Sequence, residues 1–263
     1  MTTMTTKDRV NHFAQYMQGR VSDSTLHIYV SNLNQFLRTI DGYELTPDIA
    51  QIYLDALKKA GKSPSTVSVR AYAIMGYFES IKQQVHLDCP AIRMKPPEYK
   101  KIEEVRQIIS CCQTQLEKTL LIVLFDTAVR ISELLNLQLS DIDFKYKMIT
   151  VTRKGNRRKE VNISDKALDE IKNWLSIRVG DSESVFNGLN YQSARKIIMG
   201  VGIRAGIPIH AHLFRHSRAI QMLRGGVELN VVSQHLGHVH ISTTSDIYGQ
   251  FTAVDLKDKI ISW

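Results

Sequence analysis

No apolar run in the chain reaches the ~18 residues that a membrane-spanning helix requires. The opening stretch Met1 to Asp8 is polar, where a secretory leader would carry an apolar core. These two absences predict a cytosolic protein. Cysteine is scarce, at three residues, and two of them, Cys111 and Cys112, are adjacent. An odd count containing neighbours that rarely pair indicates reduced thiols and no disulfide framework. There is no long low-complexity tract and no repeat of fixed period, so extended disorder is not expected.

What is present is an ordinary soluble composition over 263 residues, 43% apolar and 23% charged. A single core stops growing near ~250 residues, so two modest domains are the better expectation. The net charge of +8, with a pI near 9.3, gives part of the surface a positive field. Such a field attracts polyanions, either nucleic acid or an anionic membrane face.

The first third has the pattern of short helices. Ser22 to Thr25 supplies cap chemistry ahead of Leu26, Tyr29, Val30, Leu33, Phe36 and Leu37, which share one helical face. Thr46-Pro47 and Ser63-Pro64 repeat a second start signal, because proline at the first helical position gives up only an amide that had no partner. Their helices present Ile49, Ile52, Tyr53 and Leu57, then Val67, Val69, Tyr72, Ile74, Met75 and Phe78. With the segment near residues 6 to 19, this predicts a bundle of about four helices whose stripes are core.

Residues 90 to 101 hold three prolines and four basic residues, a composition that favours an extended linker. The predicted division is therefore a helical domain over 1–90, a linker over 91–101 and a second domain over 102–263. Helical patterning resumes from Ile102 to Ile109 and runs again from Leu116 to Leu139, strongly apolar from Leu120 to Phe125 as in a buried central helix. A hairpin follows, with strands at Met148 to Thr152 and Lys159 to Ile163 around a turn at Lys154 to Arg157. The remainder is helical, with starts near Ser164, Tyr191 and His212. The fold class expected is mainly α with a small antiparallel β-sheet.

Four fragments carry chemistry. Taken singly, each has an ordinary structural reading. Arg130 and Glu133, one helical turn apart, make an ion pair; His212 to His216 is a charged helix start; His238 after Leu236-Gly237 is a structural histidine; Tyr248 is a packing residue. Six of the nine histidines (His210, His212, His216, His235, His238 and His240) crowd the last quarter, which raises a metal nuclease. No carboxylate or cysteine stands among them at ligand spacing, and the arginines would repel a cation.

With a lysine in the hairpin turn added, the order Arg with Glu at plus three, Lys, His-x-x-Arg-His, Leu-Gly-His and then Tyr makes a five-part pattern that resembles the tyrosine recombinase and integrase family, including phage integrases and the Xer type. The resemblance covers essentially the whole chain. It implies an N-terminal core-binding bundle of the SAM-like kind, followed by an α+β catalytic domain. It implies that Tyr248 attacks a DNA phosphate to leave a 3′-phosphotyrosyl enzyme and a free 5′-hydroxyl, storing the bond energy so that neither metal nor ATP is required. Two guanidiniums, Arg130 and Arg215, suit the charge that builds on the non-bridging oxygens, because each can give paired bonds without losing its own charge.

By the same resemblance Lys154 is the general acid for the leaving oxygen. His212 assists as base or proton shuttle, His238 hydrogen-bonds the phosphate, and Glu133 and His216 support the set. Arg153, Arg157, Arg158 and Lys159 in the hairpin are expected at DNA phosphates. The implied partner is a double-stranded recombination site, bound by a homo-tetramer across two sites, with monomer or weak oligomer when free, accessory factors beyond that, and no membrane. Residues 251–263 carry Phe251, Val254, Leu256, Ile260, Ile261 and Trp263, apolar enough to dock on a neighbouring subunit or on the chain's own domain.

Two departures from the family pattern stand out. Ala128 occupies a position where the family commonly has glycine. The His238 to Tyr248 interval is ten residues, one longer than the Xer-like spacing. Alternatives within this chemistry are a type IB topoisomerase-like relaxing enzyme and a DNA-binding module that has lost catalysis.

Overall fold

The computed structural model describes residues 4–92, 97–153 and 155–237, together with 242, 244, 245, 247 and 248. The chain divides into two compact units, Met1–Arg93 and Met94–Trp263.

In the first unit, helices α1 (Thr6–Met17), α2 (Asp23–Thr39), α3 (Pro47–Lys59) and α4 (Pro64–Ser80) form a bundle. Each begins where a short hydroxyl side chain satisfies a free amide: Thr5, Ser22, Thr46 and Ser63 are the N-caps, and Asp8 completes a capping box with Thr5. The core is Phe13, Leu33, Phe36, Leu37, Tyr53, Leu54, Ile74, Tyr77 and Phe78, with smaller residues between them. Two residues expected in the stripe point outward: Ile52 is 62% exposed and Tyr72 51%. Ala50 and Leu54 face the core of α3 in place of Ile52, and Ala71 does the same on α4.

The second unit runs α5 (Ile102–Ser110), α6 (Gln115–Thr127), α7 (Ile131–Leu135), a 3-10 turn (Leu139–Asp141), β1 (Ile142–Asp143), β2 (Met148–Arg153), β3 (Arg157–Asn162), α8 (Asp165–Ile177), α9 (Tyr191–Ala205), α10 (Ala211–Arg224) and α11 (Leu229–Leu236). The sheet is antiparallel in the order β1-β2-β3. Arg153 pairs with Arg157 at the mouth of the predicted hairpin, and β1, a two-residue strand, was not expected. Ile149, Val151, Val161 and Ile163 bury one face of the sheet in a core built round α6. The segment entering this unit is tied to α10: the Lys100 amide donates to Ser217 Oγ at 2.8 Å, and Arg224 donates to the Tyr99 hydroxyl at 2.9 Å.

The continuous helix expected over 116–139 does not form. It stops at Thr127, Ala128 takes a left-handed conformation (φ 52°), and a short helix restarts at Ile131 with Arg130 as its extended N-cap. The break places Arg130 at a helix end and turns the Ala128 carbonyl into the molecule, where it meets an arginine from α10.

Candidate active site

The site lies where that break, the end of β2, the first turns of α10 and the end of α11 come together. Arg215, on α10, is 4% exposed and donates through Nη1 to the Ala128 carbonyl at 2.6 Å and through Nη2 to the Leu236 carbonyl at 2.7 Å. Two backbone carbonyls therefore clamp one guanidinium through its two terminal nitrogens. Burial first, and then the neighbouring Arg130 charge, pull its pKa down to about 10, which still leaves it cationic at neutral pH.

Arg130 is held differently. Its Nη1 donates to Glu133 Oε1 at 2.8 Å, and its backbone amide donates to Glu133 Oε2 at 3.0 Å. Glu133 is buried, while the Arg130 side chain keeps 43% of its surface exposed. One side of Arg130 faces a cavity of about 340 Å³ that also meets Tyr191, Arg195, His210 and His212. Its other side faces a cleft of about 620 Å³ shared with Asn136, Thr152, Arg153, Arg157 and Gly237. Tyr191 and Arg195 were not singled out from the sequence. The available signal was an aromatic and a base in the opening turns of a helix capped by Asn190.

Tyr248 is helical and buried, and its hydroxyl lies 2.5 Å from His216 Nδ1. Burial pushes the tyrosine up to about 12, against the pull of the Arg215 charge. Burial, with His212 and Arg215 next, takes His216 down to about 4. At neutral pH this pair is thus a protonated phenol hydrogen-bonded to a neutral imidazole. The His212 ring sits 6.1 Å from that of His216, edge to face, and its pKa is lowered by burial and then by Arg215. His216, expected only in support, is the histidine on the tyrosine.

The four hairpin bases differ in exposure. Arg157 and Arg158 are exposed, Arg158 in an ion pair with Asp141 at 2.7 Å, and Lys159 is half-buried. Arg153 does not follow them. Its side chain turns inward, 12% exposed, with Nη1 donating to the Gly237 carbonyl at 2.5 Å and Nε 3.9 Å from Glu133 Oε1. Lys154, His238 and the apolar tail 251–263 lie outside the described residues. Among the described residues no three His, Cys, Asp or Glu side chains are grouped as metal ligands, and no helix is long and apolar enough to cross a membrane.

Comparison with known proteins identifies the family. The model of the phage integrase family matches residues 99–253, more than half of the chain. The chain belongs to the phage integrase family. This tyrosine recombinase, an enzyme of DNA strand breaking and rejoining, is 31% identical to tyrosine recombinase XerA of Pyrococcus furiosus over 95% of its own length and 92% of the relative's. It is 28% identical to tyrosine recombinase XerD of Oceanobacillus iheyensis, over 96% and 95% respectively.

Solved structures agree on the fold. XerH site-specific recombinase bound to its difH substrate superimposes with a TM-score of 0.75 at 18% identity, covering 99% of this chain and 85% of that one. A lambda integrase tetramer on a Holliday junction gives 0.77 at 16%, covering 100% and 80%. The topoisomerase-like and inactive alternatives are not favoured by these relatives.

Proposed function

We propose that this recombinase exchanges strands between two specific duplex sites through a 3′-phosphotyrosine at Tyr248. The observation that carries the assignment is the 2.5 Å contact between the Tyr248 hydroxyl and a neutral His216, beside the clamped Arg215. A phenol is a poor nucleophile near its ordinary pKa of ~10 and needs a proton acceptor or neutralising charge at hand. His216 accepts the proton, and His212 shares or relays it. Arg130 and Arg215 bind the non-bridging oxygens as charge develops. Glu133 orients Arg130. Lys154 protonates the leaving 5′-oxygen, and His238 hydrogen-bonds the phosphate.

Arg157, Arg158 and Lys159 steer the hairpin onto the DNA backbone. The first unit acts as the core-binding domain over 1–90, the segment 91–101 as linker, and 102–263 as catalytic domain, working in the cytosol on chromosomal or mobile DNA. Structural neighbours bound to duplex and to a Holliday junction as a tetramer support a tetrameric synapse on two sites, assembled from monomers or weak oligomers. Accessory proteins set its direction.

The testing experiment is a plasmid carrying two copies of a candidate site, incubated with the protein in chelator. Recombinant junctions at the sites support the reading. Relaxation of supercoils without junctions overturns it in favour of a topoisomerase.

A further inference from the structure

We infer that Arg153 is a positioning residue that sets the catalytic lysine hairpin against the turn after α11. The inference rests on the role proposed above for Lys154. An arginine at the end of a hairpin strand has open solvent available, yet this one is turned inward, with its Nε and Nη2 buried and without hydrogen-bond partners among the described residues. Leaving charged donors unsatisfied costs free energy, so the placement is not explained by stability alone.

Its remaining contacts explain it better. Nη1 holds the Gly237 carbonyl, and Nε lies 3.9 Å from the Glu133 oxygen that binds Arg130 at 2.8 Å. Lys154 is the next residue after Arg153, and His238 the next after Gly237. One guanidinium thus joins the chain positions preceding two proposed catalytic residues, and it does so around the carboxylate that orients a third.

Gly237 is shaped for this contact. A Cβ there would fall on the Arg153 guanidinium, and its φ of 65° disfavours side chains in any case. In its present place the guanidinium occupies the space a side chain at residue 237 would take. Without Arg153 the hairpin end loses its hold on α11, and Lys154 delivers its proton from a less defined position.

The test uses the duplex on which the wild-type chain forms its Tyr248 adduct, made with either oxygen or sulfur as the 5′-bridging leaving atom. A thiolate leaves without a proton, so loss of general-acid positioning is repaired by sulfur, whereas loss of phosphate binding is not. Arg153→Met is expected to slow single-turnover cleavage of the oxygen substrate about 100-fold, the scale of a 1 Å misplacement, and to cleave the sulfur substrate within about 3-fold of wild type. Lys154→Met, the control, follows the same pattern.

Equal loss on both substrates by folded Arg153→Met, with Lys154→Met rescued, overturns the inference and makes Arg153 a phosphate ligand. No loss on either substrate overturns it as well. Failure of sulfur to rescue Lys154→Met overturns the lysine assignment instead, and this inference with it. Melting curves identify an unfolded variant. In that case Arg153→Lys carries the test, because it keeps the charge but cannot span both partners, and it is expected to be slow on oxygen and normal on sulfur.

Discussion

The Tyr248 hydroxyl and His216 Nδ1 stand 2.5 Å apart, with the phenol shifted up to about 12 and the imidazole down to about 4. Burial is the largest cause of both shifts, and both favour the neutral forms. The tyrosine is therefore held as a protonated phenol against a neutral imidazole.

Replacing that acceptor should be felt in the chemical step. His216→Leu is expected to lower single-turnover cleavage by roughly 10²- to 10⁴-fold, the usual contribution of a positioned proton acceptor, with DNA affinity unchanged. Unaltered cleavage in this variant would assign the proton to His212 alone.

Ala128 adopts φ 52° so that its carbonyl can receive Arg215. A left-handed alanine costs about 1–2 kcal/mol, which glycine would relieve. Glycine would also lose a buried methyl and gain unfolded-state entropy, together about 1–2 kcal/mol in the other direction. Ala128→Gly should accordingly change stability by less than about 1 kcal/mol, and Ala128→Val, branched at that φ, should cost more than about 2 kcal/mol. Denaturant unfolding reads both, and a Val variant as stable as wild type would contradict the assigned conformation.

Gly237→Ala meets two obstacles, its positive φ and the Arg153 guanidinium. Its destabilisation should shrink when Arg153 is also replaced by alanine, with a coupling of about 0.5–3 kcal/mol in a double-mutant cycle. Additive effects would mean that the two residues do not meet.

Stability should fall in acid from about pH 6.5 to about pH 4. Burial first, with His212 next for His216 and Arg218 next for His235, holds both histidines down to about 4, whereas an unfolded histidine takes its proton near ~6.5. Between those values the unfolded chain binds more protons, so stability is present above ~6.5 and is lost as pH drops through the window. Tm measured at pH 7.5 and 5.0 should differ less in the double variant His216→Gln with His235→Gln than in wild type. An equal drop in both proteins would assign the acid sensitivity elsewhere.

The helix starts were legible because their causes are local: Ser22, Thr46-Pro47 and Ser63-Pro64 announce caps within a few residues. The fragments of the candidate site were legible as a pattern of residue types. What escaped is set at long range. The run Leu120 to Leu137 keeps helical spacing across its break, and the break is held by Arg215, 87 residues away from Ala128. Arg153 reads as one more hairpin base until Gly237, 84 residues on, supplies a carbonyl and room for the guanidinium. Ile52 and Tyr72 sit at plausible core spacing, and only the packing of neighbouring helices decides that Ala50, Leu54 and Ala71 are the positions covered.

The measurement closest to the central claim is covalent trapping. The protein is incubated, in chelator, with candidate sites nicked just beyond the scissile phosphate, then denatured and examined for a protein–DNA adduct. The account predicts an adduct that survives chelator, maps to Tyr248 and is absent in Tyr248→Phe. Site-specific binding with no adduct, or an adduct that persists in Tyr248→Phe, would contradict it.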